Sequence, residues 1–146
     1  MLKEGDSFPA FSLPDQDGET VTNADLKGAK AVIYFYPKDD TPGCTVEACE
    51  FRDAPPAGVR VIGVSPDSPR SHRNFIGKFK INFTLLADTD HKLAEACGSW
   101  VEKLNYGRPY MGVERSTFLL DEDGKVLKVW RKVKAQGHAQ EVASAL

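Results

Sequence analysis

Cysteine is scarce in this 146-residue chain: three residues, too few for a disulfide framework. Hydrophobic residues make up 41%, enough for a core without such staples. A basic surplus is also missing. Nineteen Lys and Arg face 21 Asp and Glu, a formal net charge of -2, so no nucleic-acid partner is expected. No apolar run approaches the ~20 residues of a membrane span, so no membrane partner is expected either. The opening Met1-Leu2-Lys3-Glu4-Gly5-Asp6 lacks the basic start and apolar run of a secretory signal. A cytoplasmic location is the resulting expectation. In such a reducing compartment cysteines are more often catalytic or metal-binding than structural. No repeat or low-complexity linker divides the chain, and its length suits one domain over residues 1–146.

Val32 to Tyr36 is continuously apolar, β-branched and aromatic, and Pro37 closes it, which predicts a buried strand. Val59 to Ser65 predicts a second strand, with a helix from Pro42 to Asp53 between them. Such a βαβ unit makes the two strands parallel. A helix over Pro69 to Phe79, a strand over Phe83 to Ala87 and a short helix over His91 to Cys97 follow. Ser116–Leu120 and Val126–Trp130 flank Asp121-Glu122-Asp123-Gly124 as a hairpin, and Gly137 to Leu146 closes as a helix. This order predicts an α/β, thioredoxin-like fold: a central mixed β-sheet flanked by helices, with an N-terminal β-hairpin extension turning at Asp15-Gln16-Asp17-Gly18. Asn105 to Val113, with Gly107, Pro109 and Gly112, reads as a loop that need not be ordered. With no evident dimer arm, a monomer is expected.

The chemistry concentrates at Cys44. Thr41 is a good helix N-cap and Pro42 suits the first helical position, which puts Cys44 third. Amide hydrogens without helical partners and the helix dipole both favour negative charge there. The thiolate, the nucleophilic form, is favoured over the thiol. A second thiol, Cys49, follows five residues later. In an intact helix five residues advance about 7.5 Å and turn about 140°, leaving the α-carbons roughly 8–9 Å apart. That separation exceeds disulfide reach. Either the two thiols never pair, or the helix unwinds to let them. Pro55-Pro56 predicts a helix end near Asp53, only about one turn beyond Cys49, and helix ends open at low cost. Zinc-binding cysteine pairs are spaced more closely and come with a second pair. The only other cysteine here is Cys97, so neither a metal nor another cofactor is expected.

The assembled pattern Pro37-x-x-x-Thr41-x-x-Cys44 resembles the active-site signature of peroxiredoxins, and within them the bacterioferritin-comigratory-protein, or peroxiredoxin Q, group. Phe51-Arg52-Asp53, Gly63-Val64-Ser65-Pro66-Asp67-Ser68, Ser71-His72, Leu85-Leu86-Ala87-Asp88, Arg115-Ser116-Thr117-Phe118-Leu119 and Val133-Lys134-Ala135-Gln136-Gly137-His138 resemble that group in the same order. The resemblance implies a thiol peroxidase acting on hydrogen peroxide and organic hydroperoxides. It implies Cys44 as peroxidatic and Cys49 as intramolecular resolving cysteine, reset by thioredoxin or a similar dithiol reductant. It further implies that the Thr41 hydroxyl bonds the thiolate and the peroxide, that Pro37 shields the pocket, and that Arg115 lies beside the sulfur. A guanidinium there would stabilise the thiolate and donate to peroxide oxygens as the O–O bond breaks. One hydroxyl cannot serve fully as both helix cap and peroxide ligand, so the two expectations for Thr41 compete.

Glu47, one turn from Cys44, also matches the group, as either a buried charge partner or a solvated helix residue. The stretch Ala54-Pro55-Pro56-Ala57-Gly58 is shorter than the group's by about one helical turn, which makes the preceding helix easier to melt. Cys97 has no counterpart in the motif and reads as a small apolar side chain. His72, His91 and His138 are too scattered in sequence to suggest a site. A dithiol–disulfide oxidoreductase is the competing catalytic reading, but the chain has no Cys-x-x-Cys. A redox sensor whose disulfide remodels a binding surface is the competing non-catalytic one.

Overall fold

The computed structural model describes residues 1–146. Strand β1 (Ser12–Pro14) and β2 (Thr20–Thr22) form the expected N-terminal hairpin, followed by a short 3-10 turn at Asn23–Leu26. Asp15 shapes its turn by accepting from the backbone N–H groups of Asp17 and Glu19. Then come β3 (Lys30–Phe35), α1 (Pro42–Asp53), β4 (Val59–Ser65), α2 (Pro69–Phe79), β5 (Thr84–Ala87) and α3 (Lys92–Ala96). After β6 (Trp100–Asn105) and β7 (Arg108–Val113), the chain ends with β8 (Ser116–Leu120), β9 (Val126–Trp130) and α4 (His138–Ser144).

The main sheet has the order β5-β4-β3-β8-β9. Central β3 pairs in parallel with β4 and antiparallel with β8, so the sheet is mixed. Apolar layers cover both of its faces, which is why β3 reads as an unbroken apolar run instead of an alternating one. Ile33 and Phe35 face a layer with Phe118, Leu86, Leu93 of α3 and Cys97. Val32 and Tyr34 face the other, with Cys44, Ala48 and Phe51 of α1, Phe75 of α2 and Val142 of α4. The catalytic helix of the resemblance thus packs on one face only.

The segment expected to be an unordered loop is ordered. Residues of β6 and β7 pair antiparallel from Trp100↔Val113 to Asn105↔Arg108. Tyr106 and Gly107 make the two-residue turn, with φ of 53° and 80°. Positive φ at both positions is the tight hairpin turn that matches strand twist. The glycines and Pro109 suggested a loop because the ribbon stands largely outside the core, where no burial pattern marks its strands. Tyr106 is 100% and Leu104 72% exposed at its tip. This hairpin also removes the reason for expecting a monomer, since it is a projecting arm. No helix is long and apolar enough to cross a membrane.

Gly63, in the middle of β4, is required by packing. A Cβ there would meet Leu85 Cδ2 at 2.8 Å and the Tyr34 ring at 3.0 Å. Both neighbours are buried core. Gly63→Ala is expected to lower unfolding free energy by about 1–3 kcal/mol through overpacking, read by urea denaturation.

Candidate active site

The chain leaves the sheet at Tyr36, whose N–H donates to Val64 O at 3.0 Å. Pro37, half-buried, starts a tight loop; Asp40 within it takes a φ of 55°. Thr41 is extended and occupies the N-cap position, and Pro42 opens α1. Cys44 therefore lies in the first turn, and its side chain is buried. The Thr41 hydroxyl makes no cap. It turns back and donates to Lys38 O at 2.9 Å. Its lone pairs stay free to accept, which resolves the competition between its two expected uses against capping.

Arg115 reaches this turn from the residue before β8. One guanidinium nitrogen, Nη2, donates to Cys44 Sγ at 3.0 Å; the other, Nη1, donates to Glu47 Oε1 at 3.0 Å. Its own carbonyl accepts from Val133 N–H at 3.0 Å, fixing the backbone from the loop after β9. Glu47 is only 1% exposed, so it is the buried charge partner and not a solvated residue. Desolvation pushes its carboxyl up to about 7, against the pull of Arg115. Its second oxygen, Oε2, is buried with no hydrogen-bond partner. Gly43 makes room for the guanidinium: a Cβ there would lie 2.8 Å from Arg115 Nη2. The β6–β7 hairpin adds a cation that sequence reading missed. Burial and the charge of Arg115 hold Lys103 below its usual range, opposed first by Glu114 and then by Cys44.

Cys49 is half-buried on α1, and none of the three thiols is paired. Both Cys44 and Cys49 lie within one continuous helix, so the geometric bar to their pairing holds in this state. Cys97 sits at the end of α3 with no exposure, and burial pushes its thiol up to about 12. Burial thus favours the protonated thiol there.

The histidines depart from expectation. His72 and His138, far apart in sequence, are both buried and bonded through both ring nitrogens. His138 lies between Thr117 and Glu141, at 2.7 and 2.8 Å, and packs edge-on to Phe51 of α1. Desolvation pulls its pKa down. His72 joins a polar cluster around Asp39 and Asp67. Only the aligned folding of α2 over the Pro37–Thr41 loop brings these residues together, and no local spacing signals it.

A mixed sheet flanked by helices, with a cysteine in the first helical turn beneath an arginine, defines a thiol enzyme of the thioredoxin fold. The AhpC/TSA family model matches residues 5–129. The chain is 49% identical to peroxiredoxin Bcp of Bacillus subtilis, over 99% of this chain and 95% of that one. It superposes on the bacterioferritin comigratory protein of Xanthomonas campestris with TM-score 0.87 and 44% identity, over 92% and 88% of the two chains. A cysteine mutant of Xylella fastidiosa peroxiredoxin Q matches at TM-score 0.93 and 35% identity, over 99% and 95%. The chain belongs to the AhpC/TSA family, as a peroxiredoxin of the Bcp, or peroxiredoxin Q, group.

Two outcomes follow. Gly43→Ala should leave the fold intact but push the guanidinium off the sulfur, since the clash is with a flexible side-chain end. The second-order rate of Cys44 with peroxide should fall about 10-fold or more, read by stopped-flow kinetics. For Glu47, the folded-state value of about 7 lies above the ordinary 4.5. The native state therefore holds this proton more tightly, and the stability it contributes is full below about pH 4.5 and lost as pH rises through 7. Wild type should lose on the order of 1–3 kcal/mol relative to Glu47→Gln between about pH 5 and 8, measured by urea unfolding across pH.

Proposed function

We propose that this peroxiredoxin reduces hydrogen peroxide and organic hydroperoxides through Cys44, with Cys49 as an intramolecular resolving thiol and a thioredoxin-type dithiol as reductant. The observation that carries the reading is the guanidinium of Arg115, shared between Cys44 Sγ and buried Glu47. The alkyl peroxide reduction activity of the Xanthomonas campestris relative supports the inclusion of organic substrates.

In this reading the Cys44 thiolate attacks one peroxide oxygen. An S–O bond forms, the O–O bond breaks, and the departing alkoxide or hydroxide takes a proton to leave as alcohol or water. Arg115 stabilises the thiolate and the negative charge that moves onto oxygen. Thr41, its hydrogen committed to Lys38 O, accepts the peroxide's O–H. Pro37 covers the pocket and keeps water out. The Cys49 thiolate then attacks the Cys44 sulfenic sulfur; the S–S bond forms as the S–O bond breaks, and the departing hydroxide takes a proton from solvent to leave as water. The dithiol reductant restores both thiols by exchange and is itself oxidised. Every step uses one chain, so a monomer suffices, and a cytoplasmic setting would supply the reductant.

Resolution requires α1 to open. The contacts to be released are the Arg115–Glu47 pair and the bond from Gly137 N–H to Glu50 Oε1 at 2.9 Å; that from Asn82 Nδ2 to Arg52 O at 3.2 Å lies beyond Phe51 and can stay. Opening past Phe51, fully buried and stacked on Tyr34, would give up about 1.5–3 kcal/mol more. The unwinding is thus cheapest when it stops between Cys49 and Phe51.

Mass spectrometry of single variants tests the assignment. Cys49→Ser should react rapidly with one equivalent of peroxide, lose thioredoxin-supported turnover, and advance to sulfinic acid in excess peroxide. Cys44→Ser should lose the first reaction, and Cys97→Ser should behave as wild type. Normal turnover by Cys49→Ser together with its loss in Cys97→Ser would transfer the resolving role to Cys97. Amide hydrogen exchange over residues 44 to 53 should be slow in the reduced protein and fast in the disulfide form; equal protection in both would exclude unwinding.

A further inference from the structure

We infer that His72 and Asp39 form a pin that positions the Pro37–Thr41 loop for peroxide, a role resting on the peroxidase reading above. His72 on α2 has no solvent exposure. Its Nε2 lies 2.9 Å from Leu86 O, and a carbonyl only accepts, so Nε2 carries a hydrogen. Its Nδ1 lies 2.7 Å from Asp39 Oδ2, with a proton between the two. The imidazole therefore ties β5 to the loop through both nitrogens.

Asp39 gathers the rest. Its Oδ2 also accepts from Ser71 Oγ at 2.8 Å, and its Oδ1 from Tyr36 OH at 2.5 Å. Its own N–H donates to Asp67 Oδ2 at 2.8 Å, which in turn accepts from Ser65 Oγ at 2.7 Å. The next residue, Asp40, pairs with Lys78 of α2 at 2.8 Å. Four elements or their ends thus converge on one residue of a five-residue loop: β3, β4, α2 and β5.

That loop carries Pro37 and Thr41 on either side of Asp39. Neither residue is held by Arg115, which reaches Cys44 from the residue before β8, or by Glu47 of α1, which holds that guanidinium. The site therefore has two separately anchored halves. One sets the charge at the sulfur. The other, pinned by His72, sets where the hydroxyl and the proline ring meet the incoming oxygen. A closed cluster of this kind has no free ligand atom on the imidazole, so its use is positional.

The two halves predict a split that a general loss of stability would not produce. His72→Asn places an amide N–H where Nδ1 stood, keeping the bond to Asp39. His72→Gln places one where Nε2 stood, keeping only the bond to Leu86 O. In His72→Gln, and likewise in Asp39→Asn, the peroxide rate constant of Cys44 should fall about 10- to 100-fold. Alkylation of Cys44 by iodoacetamide, which needs no oriented hydroxyl, should be unchanged. His72→Asn should recover most of the peroxide rate. Equal losses in His72→Asn and His72→Gln, or alkylation falling in step with the peroxide reaction, would overturn the pin. If His72→Gln does not fold by circular dichroism, Asp39→Asn decides by the same pair of rates. A wild-type protein that fails to react with peroxide would instead defeat the peroxidase reading itself.

Discussion

The arrangement depends on one guanidinium that is asked to do two things at once. Arg115 donates to a buried sulfur and to a buried carboxylate at equal distances of 3.0 Å. Removing a charge from water is expensive unless its partners are placed well. Here the placement comes from three sources. The bond from Val133 N–H holds the Arg115 backbone just before β8, the absent Cβ of Gly43 gives its nitrogen room, and α1 presents Cys44 and Glu47 one turn apart. Burial opposes ionisation of Glu47 while the guanidinium favours it, leaving the carboxyl near neutrality. The charge offered to the sulfur is therefore less neutralised by Glu47 than a fully ionised partner would make it.

In the proposed cycle, a helix that carries both thiols is a constraint as well as a scaffold. It holds the nucleophile in the amide-rich first turn, and it keeps the second thiol out of bonding range. Its contacts are distributed unevenly. The first turn answers to Arg115, the middle to Gly137 and the sheet, and the last turn to Phe79 and Asn82. Most of these are single polar bonds, individually worth about 0.5–1.5 kcal/mol. They can be exchanged for water without dismantling the core beneath.

Much of this was legible in residue order. The unbroken apolar run of Val32 to Tyr36 requires a strand covered on both faces, and Thr41-Pro42-Gly43-Cys44 specifies a helix start. Arg115 was placed at the sulfur by resemblance alone, since nothing in its surroundings distinguishes it from a surface charge. The missed features share a cause: they arise from contacts between segments distant in sequence. The bonds of His72 span 33 residues to Asp39 and 14 to Leu86. The direction of the Thr41 hydroxyl is a rotamer choice that its residue type leaves open. The β6–β7 ribbon escaped because its outer half projects into solvent, where no alternation marks a strand, leaving only its glycines and proline visible.

The central sheet also acts as a partition. The layer containing Ile33, Phe35, Phe118 and Cys97 takes no residue from α1, whereas the opposite layer takes three. On the proposed cycle, a molecule built this way need not stake its whole native state on the helix that opens. In that proposal one side is permanent masonry, and the other is a door hung on it. Sequence drift should be tolerated unequally across that wall. Substitutions on the other side of the wall answer to folding alone, while on the proposed cycle those under the first two turns of α1 must suit two conformations, a restriction that falls hardest on Ala48.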